Sequence, residues 1–165
     1  MELTAGEPQG FLPKEIFENI TDCTPLVSID FIITDAEKIL LGKRLNRPAK
    51  GDWFVPGGRV LKNETLDNAF QRLAVCEIGK PCFRHEADLV GVYEHFYPDS
   101  MFSSNISTHY IVLAYQLHLV PVELDLPKKE HDSFKWWPLI EAFHSFNVSF
   151  YTKKYIQDIT KEYLK

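Results

Sequence analysis

The sequence predicts an α+β protein with a single domain, residues 1–165, in which a mixed β-sheet is sandwiched between helices. A chain of 165 residues has about the length at which one hydrophobic core is most common. Its 45% apolar, 13% aromatic and 25% charged residues lie in the range of globular proteins. Strand patterns occur before and after one strongly helical segment, which disfavours the regular alternation of a βαβ series.

Two helices are predicted near the ends of the chain, at about residues 12–21 and 147–164. The first follows Pro13 and carries apolar residues at helical spacing, namely Ile16, Phe17 and Ile20. The second has one face made of Val148, Tyr151, Tyr155, Ile159 and Tyr163. The apolar side of the first helix needs a partner, in this chain or in another.

Six segments rich in β-branched and aromatic residues predict strands. They are Leu26–Thr34, Ile39–Lys43, Trp53–Val55, Leu89–Tyr93, Tyr110–Val120 and Lys135–Trp137. Asp30 lies inside the first strand, where a carboxylate must be hydrogen-bonded, paired or functional, because burying it alone is costly. We therefore retain Asp30 as a candidate site residue.

A glycine-containing loop and a central helix follow the third strand. We expect the loop at Gly57 and Gly58, because glycine adopts backbone conformations that other residues resist. From Thr65 onward the apolar residues share one helix face, and they are Leu66, Ala69, Phe70, Leu73 and Ala74. Asn63 is a candidate N-cap, and Gly79 is the expected end of the helix.

Charge is distributed unevenly along the chain. The net charge of −5 argues against a protein that coats nucleic acid, because such proteins usually carry a basic footprint. Between Gly42 and Arg72, however, seven basic side chains stand against three acidic ones, a local balance of +4. An anionic ligand of limited size would suit that segment, and a solvated basic face is the alternative.

Cysteine usage and the N-terminus predict a soluble cytoplasmic protein. Cys23, Cys76 and Cys82 cannot all pair with one another, and none lies in a two-residue-spaced metal knuckle, so we expect reduced thiols. The N-terminus has no apolar signal core, and no run approaches the ~20 apolar residues that span a bilayer. We expect neither a membrane nor a nucleic acid as partner.

The chemistry is concentrated in residues 57–79, GGRVLKNETLDNAFQRLAVCEIG. This segment resembles the Nudix box, here residues 58–80, in which a glycine loop leads into a helix. The matching positions are Gly58, Glu64, Arg72, Ala74, Glu77 and Gly79. Six fixed residues at fixed spacing make a strong signal, and an amphipathic core helix with a capped start is the alternative.

These residue types suit a diphosphate held with Mg²⁺, which prefers hard oxygen ligands. Gly57 offers a carbonyl oxygen, and Glu77 offers a carboxylate. Arg72 could orient that carboxylate or bind phosphate through its forked donors. Glu64 would hold the loop to the helix as much as it would approach the metal.

Two positions depart from the box. Leu73 stands where the family usually has the first helical Glu, and Cys76 where it has the first of two paired Glu residues. In Nudix pyrophosphohydrolases these acids help to bind several metal ions and to activate water for attack at phosphorus. Their loss predicts fewer metal ions and a general base elsewhere in the chain.

The same substitutions occur in the GDP-mannose mannosyl hydrolases, a Nudix subfamily that this chain resembles from Thr24 to Trp137. The similar stretches are TPLVSIDFII, LLGKRLNRPAKGDWFVPGGRV, EHFY, THYIVLAY and LPKKEHD. The resemblance implies an α/β/α fold and a homodimer. It also implies hydrolysis of GDP-mannose or GDP-glucose to GDP and free hexose, by attack of water at the anomeric carbon with inversion.

The resemblance further implies a metal site and a base. Gly57, Glu77 and Glu130 would hold one Mg²⁺ per subunit, although the subfamily usually has Gln at position 130. A carboxylate there should bind the metal more tightly but would repel the diphosphate. His131 matches the general base, and its ordinary pKa near neutrality suits that task.

Other residues would bind the substrate or assist the leaving group, namely Arg44, Arg59, Arg72, His95, Tyr110 and Asp30. The arginines would neutralise the departing diphosphate. His95 and Tyr110 would contact the leaving group or a phosphate, and Asp30 would hold the sugar or balance an arginine. His109 and His118 have no role in the resemblance and are interpreted as strand residues.

Two alternatives stay open beside this interpretation. The first is attack at phosphorus, which would yield a nucleoside monophosphate and a hexose 1-phosphate. The second is a Nudix domain that binds a nucleotide sugar without turning it over. UDP- or ADP-sugars also stay open as ligands, because recognition of the base cannot be derived from the sequence.

Overall fold

The computed structural model describes residues 12–121, 124–126 and 131–161, with the backbone alone for His131 and Asp132. The helices are α1 (Lys14–Cys23), α2 (Leu66–Ile78), α3 (Leu139–His144) and α4 (Phe150–Thr160). The strands are β1 (Leu26–Asp35), β2 (Lys38–Arg44), β3 (Trp53–Phe54), β4 (Gly57–Arg59), β5 (Asp88–Tyr97), β6 (Thr108–His118) and β7 (His131–Pro138). All six predicted strands are confirmed. Several are longer than expected, whereas β3 ends one residue before the predicted Val55 and β6 ends at His118 and not at Val120.

The strands form one mixed sheet with the order β3-β2-β1-β6-β5, to which β4 adds by pairing with β1 and β7 by pairing with β2. β1 and β6 are parallel, and the other pairs are antiparallel. Asp30 of β1 lies opposite Gly57 of β4 on one side and Ala114 of β6 on the other. The predicted carboxylate is therefore in the middle of the sheet.

Helices cover both faces of the sheet, as the predicted fold class requires. Side chains on a strand alternate between the two faces of the sheet. In β1, Ile29 and Phe31 therefore face one side, and Asp30 and Ile32 face the other. Phe31 packs on the α2 side, where its ring meets that of Phe70 edge to face at 4.9 Å. Ile32 packs on the other side with residues of α3 and α4.

The central helix α2 begins after Thr65, not after Asn63. The Thr65 side-chain oxygen accepts a hydrogen bond from the backbone N–H of Asn68 at 3.2 Å, which satisfies one of the free donors at the helix start. The expectation of Asn63 as the N-cap is wrong, because that residue has a φ of 65° in the preceding turn. The helix ends at Gly79, whose φ of 68° is left-handed.

The expected loop at Gly57 and Gly58 is also wrong. Both residues pair with β1 as part of β4, Gly57 opposite Asp30 and Gly58 opposite Ile29. A Cβ at either position would clash with neighbouring atoms, so glycine is needed here for close packing, which is a different requirement from a turn. The loop follows β4 and leads to Thr65.

The terminal helices are shifted from their predicted bounds. α1 begins after Pro13 and extends to Cys23. α4 begins after its N-cap Ser149, because residues 147–149 are held in an extended contact with β3. The Trp53 N–H donates to the carbonyl of Asn147 at 2.9 Å, and the Ser149 N–H donates to the carbonyl of Trp53 at 3.0 Å. The predicted end of this helix at 164 lies outside the described residues.

Besides β4, two short elements were not predicted from the sequence. They are α3 and a 3-10 turn at Arg84–Glu86. In the described part of the chain, no helix combines the length and the apolar character needed to cross a membrane. Cys23 and Cys76 are exposed and Cys82 is buried, all as free thiols, as expected.

Candidate active site

Two adjacent glycines let β4 fit between two layers of side chains. A Cβ on Gly57 would lie 2.5 Å from the carbonyl oxygen of Ile29 and 2.7 Å from Oδ1 of Asp30. A Cβ on Gly58 would instead lie 2.5 Å from Cδ2 of Leu73. Gly57 thus makes room for Asp30, and Gly58 makes room for α2.

A charged clamp joins the loop after β4 to helix α2. Nε of Arg72 donates to Oε1 of Glu64 at 2.6 Å, and Nη2 donates to Oε2 at 2.8 Å. Oε2 also accepts from the Leu61 N–H at 3.0 Å, and Nη2 donates to the carbonyl of Arg59 at 2.9 Å. The bonds from Arg72 hold the pKa of Glu64 below its usual value. Both Glu64 oxygens are engaged, so this residue holds the loop.

Arg59 lies between α1 and the clamp. Its guanidinium carbon is 3.8 Å from the centre of the Phe17 ring in α1, a cation–π contact. Burial lowers the pKa of Arg59 from its ordinary value, with Tyr110 acting against this effect and Arg72 adding to it. Arg59, Arg72 and Tyr110 therefore share one electrostatic neighbourhood.

Asp30 is buried at the centre of the site. Its side chain accepts a hydrogen bond from the Tyr155 hydroxyl, with 2.8 Å between Oη and Oδ2. Burial raises the pKa of Asp30 to about 7 from 3.8, although the Tyr155 bond and the charge of Arg44 both act to lower it. An ionised Asp30 therefore needs positive charge nearby, which Arg44 supplies.

Arg44 is held at the end of β2. Its Nε donates to the carbonyl of Pro48 at 3.0 Å, and its guanidinium carbon is 6.0 Å from the centre of the Phe54 ring. Burial raises the pKa of Asp52, and Arg44 opposes that rise. Arg44 thus lies within electrostatic reach of two carboxyl groups, Asp30 and Asp52.

His95 lies inside the protein. Its side chain is 2% exposed, its ring stacks on that of Tyr151 at 3.8 Å, and its Nε2 is 2.8 Å from the Tyr155 hydroxyl. Burial and the charge of Lys154 lower the pKa of His95 to about 3, so the ring is neutral at physiological pH. The expected contact of His95 with the leaving group stays a prediction.

Helix α2 and strand β4 offer few oxygen donors for a divalent ion. Leu73 is 3% exposed and belongs to the apolar core, and Cys76 is exposed. Glu77 is half-buried, and its negative charge acts on Arg72. Gly57, free of a Cβ, and Glu77 fit the oxygen chemistry of a hard divalent ion. No group of three or more His, Cys, Asp or Glu side chains suited to a metal occurs in the described ranges.

The remaining predicted residues fall partly outside the description. Glu130 is not among the described residues. The backbone of His131 is described, and it lies opposite Arg44 where β7 pairs with β2. The backbone at position 131 therefore lies next to Arg44 in the sheet. The role of the His131 side chain as a base stays a prediction.

An open cavity of about 520 Å³, within the usual size range of small-molecule sites, lies between the segment that joins β2 to β3, the end of β5 and the start of α4. Its lining includes three aromatic residues and both signs of charge: Arg47, Ala49, Lys50, Asp52, Tyr97, Pro98, Asp99, Ser149, Phe150 and Tyr151. Burial raises the pKa of Tyr97, and the charge of Asp30 adds to this rise. Tyr97 thus connects the cavity to Asp30.

Sequence reasoning missed Tyr155 and Tyr97 as site residues. The sequence places Tyr155 only on the apolar face of the last helix, and it predicts no site role for Tyr97. One signal could have identified Tyr155, because a phenol on a buried helix face needs a hydrogen-bond partner and Asp30 needs one too. Matching these two demands requires the tertiary structure.

Comparison with known proteins identifies the class. The profile of the NUDIX domain matches residues 24–159. The chain is 36% identical to the low-salt glycan biosynthesis protein Agl8 of Haloferax volcanii over 142 residues, which cover 86% of this chain and 90% of that protein. It is 42% identical to an ADP-ribose pyrophosphatase of Methanocaldococcus jannaschii over 69 residues, which cover 42% and 40% of the two chains.

Among solved structures, a MutT NUDIX hydrolase from Burkholderia pseudomallei superposes with a TM-score of 0.67 and 25% identity, covering 83% of this chain and 99% of that one. The chain therefore belongs to the Nudix family of hydrolases. Members of this family generally act with a divalent metal ion such as Mg²⁺ on nucleotide-derived substrates.

Proposed function

We propose that the protein hydrolyses a nucleoside diphosphate sugar, GDP-mannose or GDP-glucose, to GDP and free hexose. Water attacks the anomeric carbon and forms a new C–O bond, while the bond from that carbon to the diphosphate oxygen breaks. The electron pair leaves with GDP, and His131 takes the proton of water. Because attack comes from the side opposite the diphosphate, the configuration at the anomeric carbon inverts.

The observation that carries this proposal is the position of Leu73. Where other members of the family have a carboxylate, this chain has an apolar side chain packed in the core against Gly58. Cys76 adds no carboxylate, and Glu64 is committed to Arg72 and Leu61. Helix α2 is left with Glu77, which favours one metal ion and a reaction whose water is activated elsewhere.

The arginines support departure of a diphosphate. Nη2 of Arg72 donates to the Arg59 carbonyl at 2.9 Å, the charge of Arg72 acts on Arg59, and the charge of Arg44 acts on Asp30. A bound divalent ion, held by the Gly57 carbonyl, Glu77 and Glu130, would neutralise further charge on the diphosphate. Developing negative charge on the leaving group is thus met by preorganised positive charge, which is where electrostatic help is most effective.

The similarity to Agl8 supports a nucleotide sugar as substrate. That relative is named for glycan biosynthesis, and it covers most of this chain. Glycan synthesis consumes activated sugars, so an enzyme similar to Agl8 is expected to meet them. The cavity beside Tyr97, with aromatic rings and both signs of charge, has the size and the character for part of such a ligand.

Reaction in ¹⁸O-labelled water tests the bond that breaks. We expect GDP and hexose as products, with no label in GDP, and the inverted anomer of the hexose appearing first in ¹H NMR. Label in GDP would place the attack at phosphorus, and GMP with hexose 1-phosphate would replace this proposal by a pyrophosphohydrolase. Free hexose exchanges its anomeric oxygen, so the decisive readout is the label in GDP.

The base is tested by His131→Gln, with His85→Gln as the matched control. We expect His131→Gln to lower kcat by about 10²- to 10⁴-fold, the usual contribution of a general base. His85 is an exposed residue of the 3-10 turn, and its variant should keep the wild-type rate. Equal rates for the two variants would assign the base to another group.

The metal site is tested by Glu77→Gln. We expect the Mg²⁺ concentration at half-maximal activity to rise by about 100-fold or more, since losing even an outer partner of a metal ligand costs roughly 10- to 100-fold. Val75→Ala is the control, because Val75 is an exposed residue of the same helix. An unchanged Mg²⁺ requirement in Glu77→Gln would remove Glu77 from the ligand set.

The second candidate is hydrolysis at phosphorus, for which the similarity to an ADP-ribose pyrophosphatase is the specific observation. Glu130 would then replace a lost ligand, and the products would be two monophosphates. A domain that only binds the nucleotide sugar would show no turnover with Mg²⁺. The homodimer and the cytoplasmic location stay predictions, and sedimentation of the purified protein tests the first.

A further inference from the structure

Three buried polar side chains form a continuous chain beneath the candidate site. Oη of Tyr155 lies 2.8 Å from Oδ2 of Asp30 and 2.8 Å from Nε2 of His95. Asp30 is 6% exposed, His95 is 2% exposed, and Tyr155 is fully buried. Groups of this kind are costly to bury unless each is hydrogen-bonded, and here the Tyr155 hydroxyl serves both of the others.

The chain joins three elements that are distant in sequence. Asp30 is in β1, His95 is in β5, and Tyr155 is in α4, while β6 separates the two strands in the sheet. The β6 residue opposite Asp30 is Ala114, whose small side chain belongs to the same buried cluster as Tyr155. The helix side chain therefore bridges the two strands across β6.

Proton counting gives the bonds a direction. An ionised Asp30 can only accept, and the phenol of Tyr155 has a single O–H to donate. Tyr155 therefore donates to Asp30, and its oxygen must accept from the N–H at Nε2 of His95. The neutral His95 ring is thereby fixed as the tautomer protonated at Nε2.

The two oxygens of Asp30 have different surroundings. Oδ2 accepts from Tyr155, whereas Oδ1 lies beside Gly57, where a Cβ would be only 2.7 Å away. A carboxylate held at one oxygen has a fixed orientation for the other. Oδ1 is thus directed toward β4, the segment that we assign to the diphosphate and the metal.

We propose that Tyr155 is a positioning residue, which orients the Asp30 carboxylate toward the substrate through a hydrogen bond that His95 supports from behind. The proposal rests on the proposed function, because it assumes that Asp30 acts on the nucleotide sugar. It adds a residue of the last helix to the machinery, and it gives His95 a supporting role in the interior.

Tyr93 provides a matched control. Its ring contacts that of Tyr155 at 4.8 Å between centroids, and its hydroxyl also donates to a carboxylate, Oδ2 of Asp158, at 2.7 Å. Asp158 is on α4, and the Tyr93 hydroxyl bonds neither Asp30 nor His95. Tyr93→Phe and Tyr155→Phe thus remove the same atom and the same type of bond, and only the second loosens Asp30.

The kinetic test compares the two variants at saturating Mg²⁺. We expect Tyr155→Phe to lower kcat by about 10- to 100-fold, the range found for outer residues that orient a reacting group, with KM changed by less than about threefold. Tyr93→Phe should retain both constants. Wild-type kcat in Tyr155→Phe, or an equal loss in Tyr93→Phe, would overturn the positioning role.

A double variant shows whether Tyr155 acts through Asp30. In an Asp30→Asn background, Tyr155→Phe should lower kcat by less than about threefold further, because residues that act through one contact are not additive. A second loss as large as the first would mean that Tyr155 acts independently of Asp30.

The ¹⁵N NMR spectrum of the His95 ring provides a readout that needs neither turnover nor a variant that folds. At mildly alkaline pH, where Asp30 is ionised, the wild-type ring should be protonated at Nε2, and Tyr93→Phe should leave its signals in place. A proton at Nδ1 instead would overturn the chain of bonds. If no nucleotide sugar is turned over, the proposed function and the catalytic role of Tyr155 fail together, whereas the spectrum still decides whether the chain exists.

Discussion

The two faces of the sheet have interiors of different character. The α2 side is built from apolar side chains around Phe31, Phe70 and Leu73. The α4 side includes apolar residues as well, but it also buries the carboxyl of Asp30, the imidazole of His95 and the phenol of Tyr155. The α2 face can be packed for stability alone. The α4 face must also satisfy the hydrogen bonds of polar groups that are shielded from water.

This difference is visible at two neighbouring glycines. At position 58 a larger side chain would collide with Leu73 of α2. At position 57 it would collide with Asp30 and the backbone of β1. The first requirement is one of apolar packing, and the second is one of space for a buried carboxylate and the backbone beside it. Two neighbouring residues of β4 thus meet packing requirements from opposite faces of the sheet.

The largest expected effect concerns the stability of the α4 side, where Asp30 and His95 make the free energy of unfolding depend on pH in opposite directions. The pKa of Asp30 is raised from 3.8 to about 7, so the folded protein keeps a proton that the unfolded chain loses, and the free energy of unfolding falls as pH rises through this window. The pKa of His95 is lowered from 6.5 to about 3. Between these two pKa values His95 is protonated in the unfolded chain but neutral in the folded protein. The free energy of unfolding therefore falls as the pH decreases through this range.

Urea unfolding in metal-free buffer separates the two contributions. The quantity to compare is the slope of the free energy of unfolding plotted against pH. Asp30→Asn removes a negative contribution and should make this slope more positive than in wild type. His95→Gln removes a positive contribution and should make it more negative. Each shift can reach about 1.4 kcal/mol per pH unit between the paired pKa values. Shifts of the same sign would contradict the assigned burial of one of the groups.

Gly57→Ala should have the next largest effect. The new methyl group would meet the Ile29 carbonyl and the Asp30 Cα, at 2.5 Å and 3.0 Å, and backbone atoms cannot move aside as a side chain can. We expect a loss of about 3 kcal/mol, at the upper end of overpacking costs, together with loss of activity. A variant with wild-type stability would mean that β4 can shift away from β1 at little cost.

Glu64→Gln should weaken the clamp between the loop and α2. The Glu64 side chain is only 4% exposed, and the change removes the charge that pairs with Arg72, so we expect a loss of about 1 to 3 kcal/mol. Asp67→Asn is the control, because the Asp67 pair with Arg84 is exposed and screened by solvent. Thermal unfolding should show a decrease for the first variant and none that is measurable for the second.

Gly58→Ala should cost least, about 1 kcal/mol, because the atom in its way is the tip of a leucine that can change rotamer. The comparison with Gly57→Ala is the informative quantity. If both alanine variants lose equal stability, the two faces of the sheet are equally tightly packed around β4, and the proposed contrast fails.

Much of the fold could be predicted because it depends on local periodicity. The helix from Leu66 shows its buried face in the spacing of its apolar residues, and β1 shows its strand character in its β-branched residues. The errors occurred where local preference and tertiary pairing disagree. Gly57 and Gly58 have the sequence of a loop, but hydrogen bonding to β1 makes them a strand, and Thr65 caps α2 in place of Asn63.

The candidate site divides in the same way. The sequence predicts that Glu64 holds the loop to the helix, and it offers Glu77 or a phosphate as the partner of Arg72. The structure instead pairs Arg72 with Glu64, eight positions away, within hydrogen-bond distance. Asp30 was recognised as an anomaly in its strand, yet its partner could not be named. Tyr155 is 125 residues away in sequence, and no periodic pattern reports a contact over that separation.

The sequence by itself determined the family and the apolar face of the sheet, because fixed spacing within one segment and alternation along one strand are local properties of the chain. It also determined that two carboxylates of the box are absent. Only the tertiary structure decided what surrounds Asp30. Burial and hydrogen bonding, which set the pKa and the orientation of a carboxylate, depend on residues that the fold brings together from β1, β5 and α4.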